Sequence, residues 1–366
     1  MTKVFQERIS KLHDFLTKQE LDAVLITSPK HVYYLTGFFT DPHERFLGLV
    51  IPAQGEPSVI VPALDRQAAA EASSVQSIYT HTDTQNPYDV LKQALPSGLT
   101  KLGIEKSHMT VERFEAMGQV IAASSFVDVE EPLREMRLIK SADEVARLKH
   151  AVVLIENALT ETLKTVKIGM TEMEIVADLE YQMKRVGAEG PSFSTMVLAG
   201  EKSALPHGTP GTRQVQAGDL LLFDIGVEAD GYVSDITRTF AVGEISAQLR
   251  EIYETVLAAN EAAIAEVRPG VTFAHLDKTA RNIIAEKGYG EYFMHRLGHG
   301  LGMDVHEYPS VHDQNEETLR PGMVFTIEPG IYVPGVGGVR IEDDVVVTET
   351  GVEVLSSFPK KLTVIG

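Results

Sequence analysis

Beyond about residue 140 the chain carries one pattern twice, at an offset of 101 residues. Val166-Lys167-Ile168-Gly169-Met170-Thr171 aligns with Val267-Arg268-Pro269-Gly270-Val271-Thr272. Leu148 pairs with Leu249, Ile155 with Val256, Leu163 with Ile264, Ile175 with Leu276, and Gly187 with Gly288. Each copy reads as two helices joined by a Gly-x-Thr turn, with the Thr as N-cap of the second helix, followed by strand-rich sequence. A unit that cannot bury its apolar face alone needs its neighbour to do so. The repeat therefore predicts two similar halves facing one another, with a cleft between them.

The residues before the repeat form a different unit. Phe5, Ile9, Leu12, Phe15 and Leu16 follow a helical period, and Ala23-Val24-Leu25-Ile26-Thr27 reads as a short buried strand. Phe46 to Ile51 and Val59-Ile60-Val61 read as further strands, separated by the turn at Pro52–Pro57. The boundary is expected near Glu130-Glu131-Pro132, and Ser141-Ala142-Asp143-Glu144 is a capping box that starts the next helix. The reading is an α/β (α+β) chain of two domains, 1–132 and 133–366.

Five residues of metal-binding type stand out against this frame. Leu220-Leu221-Leu222-Phe223 runs into Asp224, and Asp235 follows eleven residues later, after a turn at Asp230-Gly231. His299 lies in Gly298-His299-Gly300-Leu301-Gly302. Met323-Val324-Phe325-Thr326-Ile327 runs into Glu328, and Val339-Arg340-Ile341 into Glu342. A carboxylate beside a buried strand is costly unless a cation or donor compensates it. Four carboxylates and one imidazole suit a pair of divalent metals that share an activated water. Asp224 would come from the first copy and Glu328 from the second, which puts the site in the cleft. Arg340 and Glu342, two apart, are expected on one face of one strand, with Arg340 orienting a ligand carboxylate.

Charge and composition narrow the partners. The net charge of −19 argues against nucleic-acid phosphates and anionic membrane surfaces. No apolar window approaches a membrane span, and the N-terminus has no apolar signal region. The absence of cysteine excludes disulfides, thiolate chemistry and Cys-ligated zinc, and is compatible with the cytoplasm.

These motifs carry a resemblance. Asp-Ile-Gly followed by Ser-Asp-Ile-Thr-Arg-Thr, then Gly-His-Gly-x-Gly, Glu-Pro-Gly and Arg-Ile-Glu, resemble the pita-bread metallopeptidases (M24B), which include methionine aminopeptidase, aminopeptidase P and prolidase. The resemblance spans residues 140–366 and all five ligand positions are filled. It implies that Asp224 binds one metal, His299 and Glu328 the other, and that Asp235 and Glu342 bridge them. Manganese is the implied metal, with cobalt or zinc as alternatives. Val32-Tyr33-Tyr34-Leu35-Thr36-Gly37-Phe38 resembles the N-terminal domain of the creatinase, prolidase and aminopeptidase P branch. Methionine aminopeptidase normally lacks that domain.

The implied reaction is hydrolysis of the bond preceding proline, with Glu328 as general base and His207 and His306 as catalytic substrate ligands. His295, Arg296, Arg340 and Arg45 are further expected substrate contacts. Some prolidases carry Arg after His-Glu-x-Pro, where this chain has Ser310. His306-Glu307-Tyr308-Pro309-Ser310 resembles instead a group of bacterial prolidases that share Asp41-Pro42-His43-Glu44-Arg45, a loop implied to reach an active site across a homodimer. Arg296 is then a candidate partner for a substrate carboxylate, and Arg45 a second. Xaa-Pro dipeptidase is the favoured expectation, aminopeptidase P the alternative. A peptide-binding relative without catalysis is a remote third, since such relatives lack ligands that are present here.

Overall fold

The structure, a computed structural model, describes residues 2–365. It divides into two compact units, one ending at Arg137 and the other beginning at Leu138. The expected boundary at Pro132 falls inside the helix Glu130–Leu138. Proline lacks an amide hydrogen, but the first turn of a helix has no acceptor for one, so Pro132 does not stop it.

The first unit is a mixed six-stranded sheet with helices. Ala23–Ile26 lies near its centre, antiparallel to Gly48–Pro52 and parallel to Lys101–Ile104. Ser58–Pro62 and Ser77–His81 extend one side, and Ser125–Asp128 closes the other. Leu25, Val50, Ile60, Leu91, Leu102 and Met117 form part of its core.

The second unit realises the repeat. The first copy contributes the helices Ala142–Leu163 and Glu172–Arg185 and the sheet strands Met196–Ala199, Leu220–Ile225 and Ile236–Val242. The second contributes Ala247–Ala265 and Phe273–Glu286, then the strands Gly298–Gly300, Glu307–Val311, Val324–Ile327 and Asp343–Val347. Ser141 and Glu144 form the expected capping box. Thr171 and Thr272 cap the second helix of each copy, accepting from the Glu174 and His275 amides. Gly169 and Gly270, which precede those caps, have φ of 91° and 86°, a conformation that disfavours any side chain.

Each copy builds its own core. Ile155, Leu159, Ile175 and Leu179 pack on Leu221 and Phe223 in the first. Val256, Ala263, Leu276 and Ile284 pack on Phe325, Ile327 and Val345 in the second. Burying one such large aliphatic side chain contributes about 1.5–3 kcal/mol. The helices thereby fix the strands whose ends carry Asp224 and Glu328.

Candidate metal centre

The two aspartates meet at one end of a strand pair. Leu220–Ile225 runs antiparallel to Ile236–Val242, with Asp224 opposite Thr237 and Ile225 opposite Ile236. Asp235 lies just beyond that last pair. The hairpin tip turns at Asp230 and Gly231, with φ of 53° and 74°. Two positive φ values in succession belong to the tight turn that Asp-Gly favours.

The second copy brings the remaining three residues. His299 is the middle of the short strand Gly298–Gly300. A Cβ at position 298 would lie 2.0 Å from the Thr326 carbonyl oxygen, and one at 300 would lie 2.2 Å from that of Tyr308. Neighbouring backbone thus approaches too closely for any residue but glycine on either side of His299. Glu328 directly follows Val324–Ile327. Glu342 does not share a strand with Arg340, contrary to the expectation. The chain leaves a two-stranded sheet at Arg340 and enters a five-stranded one at Asp343, with Glu342 in the step between. The Glu342 amide donates across to the Thr237 carbonyl, 3.1 Å away, so the step keeps its backbone paired.

The five side chains converge. One ligand atom from each of Asp235, His299 and Glu342 lies within 4.8 Å of the others. His299 Nε2 is 3.3 Å from Glu328 Oε1 and 3.6 Å from Asp235 Oδ2. Its Nδ1 faces the Gly300 carbonyl at 3.2 Å, which assigns the ring proton to Nδ1 and leaves the Nε2 lone pair for the acidic cluster. Burial and the neighbouring His306 push the His299 pKa down to about 3, so the ring is neutral. Arg340 donates to Asp224 Oδ2, which ties the fourth carboxylate to the group.

The carboxylates repel one another. Burial, then the charges of Glu342 and Asp224, push Asp235 well above the usual carboxylate range. Burial, then Glu328 and Asp224, do the same to Glu342. Glu328 is pushed up to about 7, chiefly by burial and against the pull of Arg340. Asp235 Oδ1 is buried without a hydrogen-bond partner. Such an orphan costs about 1–3 kcal/mol. A divalent cation removes both penalties, and an oxygen-rich set with one imidazole is the donor chemistry such a cation takes.

Several supporting residues were not foreseen. Thr237 Oγ1 donates to Glu342 Oε2 at 2.6 Å and accepts from Arg340 Nε at 2.9 Å. Thr326 Oγ1 accepts from the His299 amide at 3.1 Å and reaches Glu328 Oε1 at 3.3 Å. The Asp235 amide donates to Asp344 Oδ2 at 3.2 Å. Lys140 Nζ is 3.2 Å from Glu307 Oε2, and both side chains are almost inaccessible. Glu307 Oε1 also accepts from the amides of Met303 and Asp304 at 2.8 and 3.0 Å, shaping the loop before His306. Of these, Glu307 is marked in the sequence by its place beside His306 and Thr237 by its place in the Ser-Asp-Ile-Thr-Arg-Thr motif.

The expected substrate contacts divide. The His306 ring lies 4.0 Å from that of His299, centroid to centroid. His207 is exposed in the loop after Gly200–Ala204, and burial, then Arg296, lowers the pKa of His306. Ser203 anchors that loop, its Oγ accepting from the Gly338 amide at 2.7 Å. Arg296 donates to Ser310 Oγ at 3.0 Å. His295 has both ring nitrogens engaged, Nδ1 with the Arg296 carbonyl at 2.7 Å and Nε2 with the Tyr332 hydroxyl at 2.9 Å. Burial and Arg340 push its pKa down to about 4. A direct bond from His295 to a substrate would have to displace Tyr332. Arg340 is likewise spent on Asp224, Thr237 and Tyr332. Arg45, in the N-terminal unit, makes a two-pronged pair with Asp83, at 2.8 and 3.2 Å.

Comparison with known proteins identifies the family of the chain. Residues 146–349 match the model of metallopeptidase family M24, and residues 8–139 that of the creatinase/prolidase N-terminal domain. A putative dipeptidase of Bacillus subtilis, YkvY, is 45% identical over 361 residues, covering 98% of this chain and 99% of its own. The prolidase of Pyrococcus horikoshii superposes with a TM-score of 0.91 at 39% identity, over 97% of this chain and 99% of that one. An X-Pro aminopeptidase of Thermotoga maritima superposes at 0.88 with 34% identity, over 94% and 98% of the two chains. The mixed α/β architecture is that of a creatinase-like N-terminal domain followed by a pita-bread domain, and the chain belongs to metallopeptidase family M24.

Proposed function

We propose that this protein is a metal-dependent Xaa-Pro dipeptidase, a prolidase that hydrolyses the bond before proline in dipeptides. The convergence of Asp224, Asp235, His299, Glu328 and Glu342, with an orphaned carboxylate oxygen among them, carries the reading. In it Asp224, Asp235, His299, Glu328 and Glu342 would hold two divalent ions, Asp224 on one side of the centre, His299 and Glu328 on the other, with Asp235 and Glu342 serving both. Manganese is the proposed metal, and cobalt or zinc suit the same donors. When bound, the ions supply Lewis acidity and a water acidified toward neutrality.

The protein's own groups do the rest. Glu328 takes the proton of the attacking water as that oxygen adds to the carbonyl before proline. His207 and His306 hold the carbonyl oxygen as it gains charge. The carbon–nitrogen bond then breaks, and Glu328 returns the proton to the prolyl nitrogen. Proline's tertiary amide has no N–H, and none of the roles assigned here calls for one. Arg296 binds the free carboxylate with the donors that Ser310 leaves over. His295 and Arg340 act at one remove, through Arg296 and Asp224. Arg45 enters as a second carboxylate partner across a homodimer in the cytoplasm, which requires its release from Asp83.

A second reading, Xaa-Pro aminopeptidase, draws on Ser310 and on the likeness to the Thermotoga enzyme. A non-catalytic peptide binder is disfavoured because the whole acidic set and both rim histidines are present. Chelator-stripped protein titrated with Mn²⁺ tests the main reading. Two ions bound per chain, with Xaa-Pro hydrolysis lost on stripping and restored on addition, are expected. Full activity in demonstrably metal-free protein would overturn it.

A further inference from the structure

The helix Ala247–Ala265 turns Ile252, Val256, Ala259 and Ala263 toward the core, and among them lies Asn260, fully buried. The matching position of the first copy is Leu159, also fully buried. Packing alone fills this place with an apolar side chain. A buried amide there has to find partners for its donors and its acceptor.

Those partners are specific. Asn260 Nδ2 donates to the carbonyl of Ile327 at 3.0 Å and to that of Ile341 at 3.2 Å. These are the residues directly before Glu328 and Glu342. The N–H groups of the same two peptide bonds are held from the other side, Glu328 by the Leu297 carbonyl at 2.8 Å and Glu342 by that of Thr237 at 3.1 Å. One side chain thus joins the two backbone planes that launch both glutamates.

The amide is itself oriented. Lys360 Nζ donates to Asn260 Oδ1 and to Asp343 Oδ2, each at 2.9 Å. A flipped amide would set its oxygen against two carbonyls and its NH₂ against an ammonium. Asp343 also accepts from Arg238 at 2.8 Å, and Arg238 donates to the Glu342 carbonyl. The polar chain Asn260–Lys360–Asp343–Arg238 therefore returns to the same ligand segment.

We propose that Asn260 is a positioning residue for the metal centre, setting the spacing of Glu328 and Glu342, and that Lys360 fixes which end of its amide faces them. The inference rests on the reading of those glutamates as ligands.

The test compares wild type with Asn260→Leu, Asn260→Asp and Lys360→Met, measuring Mn²⁺ affinity and stoichiometry together with kcat and KM. Asn260→Leu installs the residue of the other copy. It should stay folded by circular dichroism and bind Mn²⁺ about 10–100-fold more weakly, with kcat reduced and KM little changed. Asn260→Asp keeps the shape but reverses the polarity toward two carbonyls, and should be worse, an order that packing alone would not produce. Lys360→Met should shift affinity the same way by less, and reports on the proposal should Asn260→Leu not fold. Wild-type affinity and kcat in Asn260→Leu and Lys360→Met, with only a lower melting temperature, would overturn the inference. A wild type that binds no Mn²⁺ would overturn the ligand reading, and this inference with it.

Discussion

His299 Nε2 lies 3.3 Å from Glu328 Oε1, and both residues lean on the single hydroxyl of Thr326. The neutral imidazole and the acid are thus held as a pair. Glu328→Gln keeps the volume but removes the base, and is expected to lower kcat by about 10²–10⁴-fold with the fold intact by circular dichroism. A variant with more than about a tenth of wild-type kcat would take Glu328 out of proton transfer.

Metal-free protein should have an unusual pH profile. Asp235 and Glu342 are raised well above the carboxylate range and Glu328 up to about 7, all first by burial. A raised folded pKa contributes stability that is fully present below the unfolded value, about 4 for these acids. That stability is lost as pH rises through the folded value, here about 7 for Glu328. Stripped protein should therefore melt higher at pH about 6 than at about 8. The Mn²⁺-loaded form should show the opposite slope, because protons compete with metal. Differential scanning calorimetry of both forms checks this, and Glu328→Gln should flatten the stripped profile. Parallel slopes in the two forms would contradict it.

Arg296 is proposed to bind the dipeptide carboxylate. A hydrogen bond to a charged group contributes about 1.5–3 kcal/mol, so Arg296→Ala should raise KM for Xaa-Pro roughly 10–100-fold. The matching dipeptide amide should be far less affected. Equal losses on acid and amide would remove Arg296 from that role.

The Lys140–Glu307 pair is nearly inaccessible on both sides. Removing one partner of a buried pair typically costs about 3–5 kcal/mol, but the Met303 and Asp304 amides still donate to Glu307, so Lys140→Met should be destabilised by a smaller amount, about 1–3 kcal/mol, in urea unfolding. A loss under about 1 kcal/mol would mean that water reaches Glu307.

What the sequence revealed follows from locality. Asp224 and Glu328 were legible because each ends an apolar run, and the repeat was legible because glycines at positive φ and Thr caps leave local marks. Asn260 left none, because its partners lie far off in the chain; Thr326 showed only its place in the apolar run before Glu328, and Thr237 only its place in the Ser-Asp-Ile-Thr-Arg-Thr motif. The Arg340–Glu342 strand failed because the step between two sheets depends on Thr237, a hundred residues earlier. His295 was named through the family resemblance, but its partner Tyr332 was not. Arg45 likewise reads as a substrate contact in the Asp41–Arg45 loop, while its pairing with Asp83 needs the folded sheet.

The most direct test of the account is kcat/KM for an Xaa-Pro dipeptide against the matching Xaa-Pro-Yaa tripeptide, on chelator-stripped protein before and after adding Mn²⁺. The account predicts no turnover without metal and, with it, cleavage of the dipeptide far ahead of the tripeptide. A tripeptide cleaved as well or better would make the protein an aminopeptidase, and no cleavage of either by Mn²⁺-loaded protein would contradict the peptidase assignment itself.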